Sequence, residues 1–178
     1  MKILLHICCA CCAIYPVKEL RKRGMEVFGF FFNPNIHPYQ EYKRRLDTTK
    51  DFSNQTGLEL ICRDEYRLEE FLQNVVFRER ERCTYCYYTR MKSTAQVAKK
   101  GKFDFFSTTL LYSKFQKHEL IKEIGIGLAG ESGVKFLYED FRKGWKDGIE
   151  TSKDLGLYRQ QYCGCIYSEK ERYLKRDV

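Results

Sequence analysis

The chain has 178 residues, 43% of them hydrophobic, with nine cysteines, three histidines and a formal net charge of +8. This length and apolar content predict one domain spanning residues 1–178, and no apolar run is long enough to cross a membrane. The odd cysteine count disfavours a complete disulfide framework and indicates metal or redox use. We expect a soluble, cytoplasmic protein without a signal peptide, whose basic surface favours a polyanion such as nucleic acid.

Short apolar segments alternate with segments that carry apolar residues at helical spacing. The apolar segments, predicted as strands, cover residues 1–7, 26–32, 58–62, 103–106 and 134–138. Strands that alternate with helices predict a parallel sheet with right-handed crossovers. We therefore predict an α/β fold, a Rossmann-like three-layer parallel sheet of about five strands. Pro16 suits the first turn of the first helix, and Gly24, Gly57 and Gly101 suit helix ends.

Four cysteines follow the first predicted strand, in the run Cys8-Cys9-Ala10-Cys11-Cys12. Open α/β sheets bind their ligands where strands end in loops. Four thiols in five residues cannot all pair without strain, whereas closely packed thiolates suit a soft metal or a cluster. The helix expected next would also stabilise thiolates at its N-terminus. The alternative is that one or two of these cysteines are buried structural residues.

Two more cysteine motifs occur further along the chain. Cys83-Thr84-Tyr85-Cys86 is a C-x-x-C pair, which can hold one edge of a metal site or act as a dithiol. Cys163-Gly164-Cys165 can close a small, strained disulfide that is easily reduced, which suits electron transfer. The competing interpretation makes Cys163 and Cys165 additional metal ligands. This segment follows the predicted sheet, and we expect it to lie over the strand ends as a lid.

Other residues have structural interpretations. Cys62 lies inside an apolar strand and is predicted to be a core residue. His6 is predicted to be a hydrogen-bonded core histidine, and His37 to hold its own loop. Lys43-Arg44-Arg45 is predicted to be the solvated face of a helix, although it also suits phosphate binding. No G-x-G-x-x-G or Walker A motif occurs, and no ATP-binding loop follows the first strand.

The motifs together resemble one family, the cobalamin-independent epoxyqueuosine reductases of the QueH type. The resemblance covers nearly the whole chain and is carried by five stretches, which are Leu4–Cys12, Asn33–Pro38, Glu81–Tyr87, Thr108–Leu111 and Tyr158–Cys165. Cys11 departs from the family pattern, which usually has proline there, and Lys114 also replaces a common proline. The departure at Cys11 argues against an essential ligand there, although this thiol could lie near the metal.

The resemblance implies an oxidoreductase that removes the epoxide oxygen from epoxyqueuosine at the wobble position of tRNA, in the last step of queuosine biosynthesis. It implies an iron-sulfur cluster, predicted to be a 4Fe-4S cluster held by Cys8, Cys9, Cys83 and Cys86, and an additional mononuclear iron for which Cys12 is a candidate. The catalytic residues are then a redox-active pair, Cys163 and Cys165. The implied partners are a tRNA anticodon loop and an external electron donor, with no membrane.

Two other functions are compatible with parts of the sequence. The first is a tRNA sulfurtransferase that uses a cluster with an open iron, but it would need the ATP loop that the chain lacks. The second is a non-enzymatic, zinc-stapled RNA-binding module. Iron and sulfide content distinguish the module from both enzymes.

Overall fold

A five-stranded parallel sheet forms the centre of the protein in the computed structural model, which describes residues 1–174. The strands are β1 (Lys2–His6), β2 (Glu26–Phe31), β3 (Glu59–Cys62), β4 (Phe105–Thr108) and β5 (Lys135–Phe136), in the order β3-β2-β1-β4-β5. Every neighbouring pair is parallel, and Leu4 of β1 is in register with Phe28 of β2 and Phe106 of β4. The predicted Rossmann-like α/β architecture is confirmed.

Helices cover both faces of the sheet and complete the three layers. They are α1 (Ala10–Lys22), α2 (Tyr39–Thr56), α3 (Leu68–Val75), α4 (Arg82–Lys100), α5 (His118–Ser132), α6 (Trp145–Asp154) and α7 (Ile166–Tyr173). Helix α1 packs against α2 and α6, whereas α4 packs against α5 and against the central strands. None of the described helices combines the length and hydrophobicity that crossing a membrane requires.

Strand position decides which strand residues are buried. Ile3, Leu4 and Leu5 of the central strand are completely buried because helices cover both faces of β1. Strand β3 lies at the sheet edge, and most of its residues are exposed to solvent. The prediction that Cys62 is a core residue is therefore wrong, since this cysteine ends the edge strand with its side chain exposed.

The first helix begins earlier than predicted. Helix α1 starts at Ala10, and Pro16 lies inside it and not in its first turn. Proline removes only the hydrogen bond to the carbonyl of Cys12. Burial of Ala13, Val17 and Leu20 on the same helix compensates for that single loss. The early start places Cys11 and Cys12 in the first helical turn, so the predicted nearness of these thiols to a helix N-terminus is confirmed.

The other predicted helix ends agree with the structure. Helix α2 ends before Gly57, whose φ of 60° closes the helix in the left-handed conformation that glycine adopts readily. Helix α4 begins at the C-x-x-C motif and ends before Gly101, the predicted helix end. With these boundaries, Cys8 and Cys9 lie in the turn after β1, and Cys83 and Cys86 lie in the first turn of α4.

Candidate metal centre

Three cysteine sulfurs converge where β1 passes into α1. The Sγ atoms of Cys8, Cys9 and Cys12 lie within 4.8 Å of one another, and all three side chains are buried. Thr109, just after β4, accepts a hydrogen bond from the Cys8 backbone N–H at 3.0 Å. Its hydroxyl donates to Cys8 Sγ at 3.3 Å. The adjacent strands β1 and β4 therefore fix the position of the Cys8 thiol together.

The three thiols differ in how readily they lose a proton. Hydrogen bonds from Cys12 and Cys9, with a further one from Thr109, hold the pKa of Cys8 well below its ordinary value. Burial raises the pKa of Cys9, and the hydrogen bond to Cys8 raises that of Cys12. Of the three thiols, Cys8 is therefore the one that loses its proton most readily. Binding a cation here would release the remaining thiol protons.

The geometry and chemistry of these thiols fit a soft metal. Cys8 Sγ and Cys9 Sγ are 3.9 Å apart. Two thiolates bound at ~2.3 Å to one tetrahedral metal ion are about 3.8 Å apart. Thiolate donors also suit iron-sulfur groups. Cys12, a weaker candidate in the sequence, therefore belongs to the same site as Cys8 and Cys9.

Cys83 and Cys86 occupy the first turn of α4 and lie outside the set formed by Cys8, Cys9 and Cys12. Both are half-buried. Loss of hydration raises the pKa of Cys86 to about 12, whereas Arg90 and Asn35 act in the opposite direction. Arg90 is itself buried, and its Nε and Nη2 donate to Asn35 Oδ1 at 3.0 and 2.8 Å.

The segment from Tyr158 to Cys165 connects these two groups of cysteines. Gln160 Nε2 donates to Cys12 Sγ at 3.3 Å. Cys163 and Cys165 lie close enough to Cys86 to raise its pKa through their charge. All nine cysteines fall within the described residues and are free thiols. The segment therefore lies over the carboxyl edge of the sheet, as the lid prediction requires.

Arg45 anchors this segment and corrects one prediction. It was assigned to a solvated helix face, but its side chain is buried, with a residue exposure of 2%. Its Nη1 donates to the Cys163 carbonyl at 2.7 Å and its Nη2 to the Tyr162 carbonyl at 3.0 Å. Its Nε donates to Glu41 Oε1 at 2.7 Å. These partners satisfy the guanidinium, which explains how the charge is accommodated inside the protein.

Gly164 allows the segment to approach the body of the protein. Its carbonyl accepts a hydrogen bond from the His37 backbone N–H at 2.8 Å. Its φ of 153° is unfavourable for other residues, and a Cβ here would lie 3.2 Å from Ile36 Cγ1 and 3.4 Å from Arg45 Nη1. The backbone conformation therefore favours glycine between the two cysteines, and the close packing leaves little room for a larger residue.

Two of the three buried histidines, His6 and His37, have the structural roles predicted for them. His6 Nδ1 lies 2.9 Å from Thr108 Oγ1, and its Nε2 lies 3.2 Å from Asn33 Oδ1. His37 Nδ1 accepts a hydrogen bond from the Ile166 backbone N–H at 3.2 Å, which ties its loop to the start of α7. Burial lowers the pKa of each histidine to about 4. Both imidazoles are therefore neutral at pH 7.

The sequence missed the polar residues that support the site. Five polar residues contact site cysteines or fix residues that do, namely Thr109, Gln160, Arg45, Asn35 and Arg90. Thr109 and Asn35 lie in two stretches that carry the family resemblance, Thr108–Leu111 and Asn33–Pro38. Their position after β4 and β2 could therefore have indicated their place at the site. Arg45 and Arg90 lie mid-helix in basic or mixed sequence, and only their contacts reveal their burial.

The fold and the site together show the class of protein. It is an α/β protein whose Rossmann-like sheet carries buried thiols, suited to a metal, at its carboxyl edge. A family model described as "Epoxyqueuosine reductase QueH" matches residues 3–171. The chain belongs to the epoxyqueuosine reductase QueH family and is an oxidoreductase.

Individual relatives agree with this assignment. The epoxyqueuosine reductase QueH of Dehalococcoides mccartyi is 41% identical over 174 residues, covering 98% of this chain and 96% of that protein. The Thermotoga maritima protein of the same name is 35% identical over 180 residues, covering 96% and 91%. The Staphylococcus epidermidis protein, also of that name, is 34% identical over 181 residues, covering 94% and 76%.

A solved structure from Methanocaldococcus jannaschii, titled as a predicted subunit of a tRNA methyltransferase, is similar in fold. Its TM-score is 0.58 at 12% identity, and the match covers 86% of this chain and 76% of that chain. At this identity the likeness supports the Rossmann-like architecture alone.

Proposed function

We propose that this enzyme reduces epoxyqueuosine to queuosine at the wobble position of tRNA, the final step of queuosine biosynthesis. The family match over residues 3–171 carries this proposal. It favours the reductase over the sulfurtransferase and the zinc-stapled module. The reaction consumes two electrons and two protons, converts the epoxide to an alkene and releases the oxygen as water.

A 4Fe-4S cluster is proposed to be held by Cys8, Cys9, Cys83 and Cys86, with an additional iron beside it held by Cys12. The convergence of Cys8, Cys9 and Cys12 within 4.8 Å supports a metal at this edge of the sheet. When bound, such iron supplies one-electron transfer and a Lewis acid for the epoxide oxygen. The assignment brings ligands from the start of α1 and the first turn of α4 to one site.

Cys163 and Cys165 are proposed to supply the electrons and protons of each turnover. Oxidation of the two thiols forms one S–S bond and yields two electrons and two protons, which balances the conversion of the epoxide to an alkene and water. An external reductant then restores the dithiol. The position of Cys163 beside Gln116, and the anchoring of its carbonyl by Arg45, support a fixed thiol at the edge of the site.

The substrate is proposed to be the anticodon loop of tRNA. Loops of RNA offer unpaired bases that a protein can hold outside the stack, and a modified base must leave its stack to reach buried thiols. The net charge of +8 favours binding of the phosphate backbone. The proposed location is the cytoplasm, where tRNA and a reducing environment occur together.

The cluster assignment is tested by Cys83→Ser with Cys62→Ser as its matched control. Cys83 is a proposed ligand, whereas Cys62 is an exposed thiol at the edge of the sheet. After anaerobic reconstitution, we expect Cys83→Ser to lose most of its bound iron and sulfide and its brown colour, because serine does not replace a thiolate ligand well. Cys62→Ser should retain both. Wild-type iron and sulfide content in Cys83→Ser would refute this ligand.

The redox pair is tested by separate Cys163→Ser and Cys165→Ser variants. Each should keep its iron and sulfide but lose multiple turnover of epoxyqueuosine-containing tRNA, because a single thiol cannot deliver two electrons through an internal disulfide. Cys62→Ser again serves as the control and should turn over repeatedly. Loss of the cluster in both variants would instead identify ligands, and normal turnover in either would remove the pair from the mechanism.

A further inference from the structure

The loop at residues 113–117, between β4 and α5, is fixed to the cysteine site. The Tyr87 hydroxyl donates to Gln116 Oε1 at 2.8 Å and accepts from the Lys117 backbone N–H at 3.3 Å. The Phe115 backbone N–H donates to Ser113 Oγ at 3.2 Å. Because Tyr87 is buried on α4, the helix that carries Cys83 and Cys86, the loop has a defined place beside those residues.

The same loop contacts the proposed redox pair directly. Gln116 Nε2 donates to Cys163 Sγ at 3.2 Å. Gln116 is thereby held by hydrogen bonds at both ends of its amide, one to Tyr87 and one to the thiol. Its neighbour Phe115 consequently lies at the rim of the site, one residue from a group that touches Cys163.

Phe115 is exposed although it belongs to this fixed loop. Its exposure is 83%, and no described side chain covers its ring. The ring meets Trp145 edge to face, with centroids 6.2 Å apart and planes at 78°. The Lys114 ammonium lies 5.6 Å from the centre of the same indole ring. The protein therefore presents a free aromatic face next to a cation at the edge of the site.

We propose that Phe115, supported by Trp145 and Lys114, is a stacking platform for an unpaired RNA base adjacent to the modified base. The inference rests on the proposed function, since extrusion of the modified base deprives its neighbours of a stacking partner. An aromatic side chain replaces that partner for any base, because every base has a π face. Lys114 lies where it can meet the phosphate of the stacked nucleotide.

The position favours RNA over a protein partner. A protein covering Phe115 would also cover the approach to Cys163, which the tRNA must reach during the reaction. The neighbouring cation and the net charge of +8 complement a phosphate backbone. An exposed ring beside an ammonium is the combination that single-stranded nucleic-acid sites use.

The test compares Phe115→Ala and Phe115→Trp with Phe77→Ala, measuring tRNA dissociation constants at one fixed salt concentration. Phe77 is a matched control because it is also a loop phenylalanine, with 93% exposure, in the turn between α3 and α4. We expect Phe115→Ala to bind epoxyqueuosine-containing tRNA about tenfold or more weakly, and Phe115→Trp to restore binding. Phe77→Ala should stay within about twofold of wild type.

Three further readouts separate the platform from a general defect. Iron content, free-thiol content and thermal stability should be unchanged in Phe115→Ala, because its ring is exposed. A dissociation constant within about twofold of wild type, or equal losses in Phe115→Ala and Phe77→Ala, would overturn the platform. If Phe115→Ala weakens tRNA binding as expected but wild-type protein leaves epoxyqueuosine unreduced, the platform is supported and the proposed reaction is refuted.

Discussion

At the scale of single residues, two buried arginines surround the cysteines with positive charge. Arg45 is paired with Glu41 and with two backbone carbonyls, and it lies close enough to Cys8 and Cys9 to interact with their charge. Arg90 has no carboxylate partner among residues 1–174, and its guanidinium donates to the neutral amide of Asn35. A buried cation needs compensating negative charge. The lowered pKa of Cys8 makes its thiol the group at this edge best suited to carry that charge.

Arg45→Ala should destabilise the protein and release the segment from Tyr158 to Cys165. The substitution removes hydrogen bonds to two lid carbonyls and leaves Glu41 buried without its cation, a change that costs ~3–5 kcal/mol in the free energy of unfolding. Urea denaturation measures the first effect, and amide hydrogen exchange of the segment measures the second.

Lys50→Ala provides the control for Arg45→Ala, because Lys50 is an exposed cation on the same helix, α2. It should leave both measurements close to wild type. Wild-type stability together with unchanged exchange in Arg45→Ala would show that the arginine does not hold the lid.

At the scale of secondary structure, close packing of α1 against α6 and its preceding turn positions the cysteine-bearing first turn. A Cβ on Gly144 would lie 2.0 Å from the Tyr15 ring, and one on Gly148 would lie 2.2 Å from the Tyr112 hydroxyl. Real side chains do not tolerate such distances. Gly144 is therefore needed for the approach to Tyr15 of α1, and Gly148 for the approach of α6 to Tyr112, which lies after β4. Helix α1 therefore has a defined position before any metal binds.

Gly144→Ala should lower stability by ~1–3 kcal/mol, the usual cost of overpacking a close contact. Gly127→Ala on α5 is the matched control, because nothing lies within 4 Å of its added Cβ. Alanine is the better helix former, so Gly127→Ala should raise stability by ~0.5–1 kcal/mol. Thermal or urea unfolding measures both variants. Equal changes in the two would contradict the packing argument.

The sequence predicted the strands and helices better than it predicted which of their side chains are buried. Apolar runs and glycine helix ends located the sheet and helices because those signals are local. The early start of α1 was missed because Pro16 was assumed to mark a first turn, although tertiary burial tolerates it inside the helix. The exposure of Cys62 depends on β3 being an edge strand, and the burial of Arg45 depends on carbonyls 117 and 118 residues away along the chain.

At the scale of the whole molecule, the strand order brings distant cysteines to one edge of the sheet. Strand β1 lies in the centre, so the loop after it is flanked by the loops after β2 and β4. Cys8, Cys9 and Cys12 converge there, and the segment carrying Cys163 and Cys165 lies over them. The first turn of α4 adds Cys83 and Cys86. We therefore propose that this edge binds the metal, receives the electrons and admits the RNA. The net charge of +8 favours the RNA partner.

We propose that this cysteine edge of the sheet is where epoxyqueuosine in tRNA is reduced. The most direct test is mass analysis of nucleosides from epoxyqueuosine-containing tRNA after anaerobic incubation with iron-reconstituted protein and excess reductant. We expect epoxyqueuosine to disappear and queuosine, lighter by one oxygen atom, to appear in equal amount, and neither change to occur without protein. Unchanged epoxyqueuosine, with iron and sulfide bound and tRNA bound, would contradict this proposal.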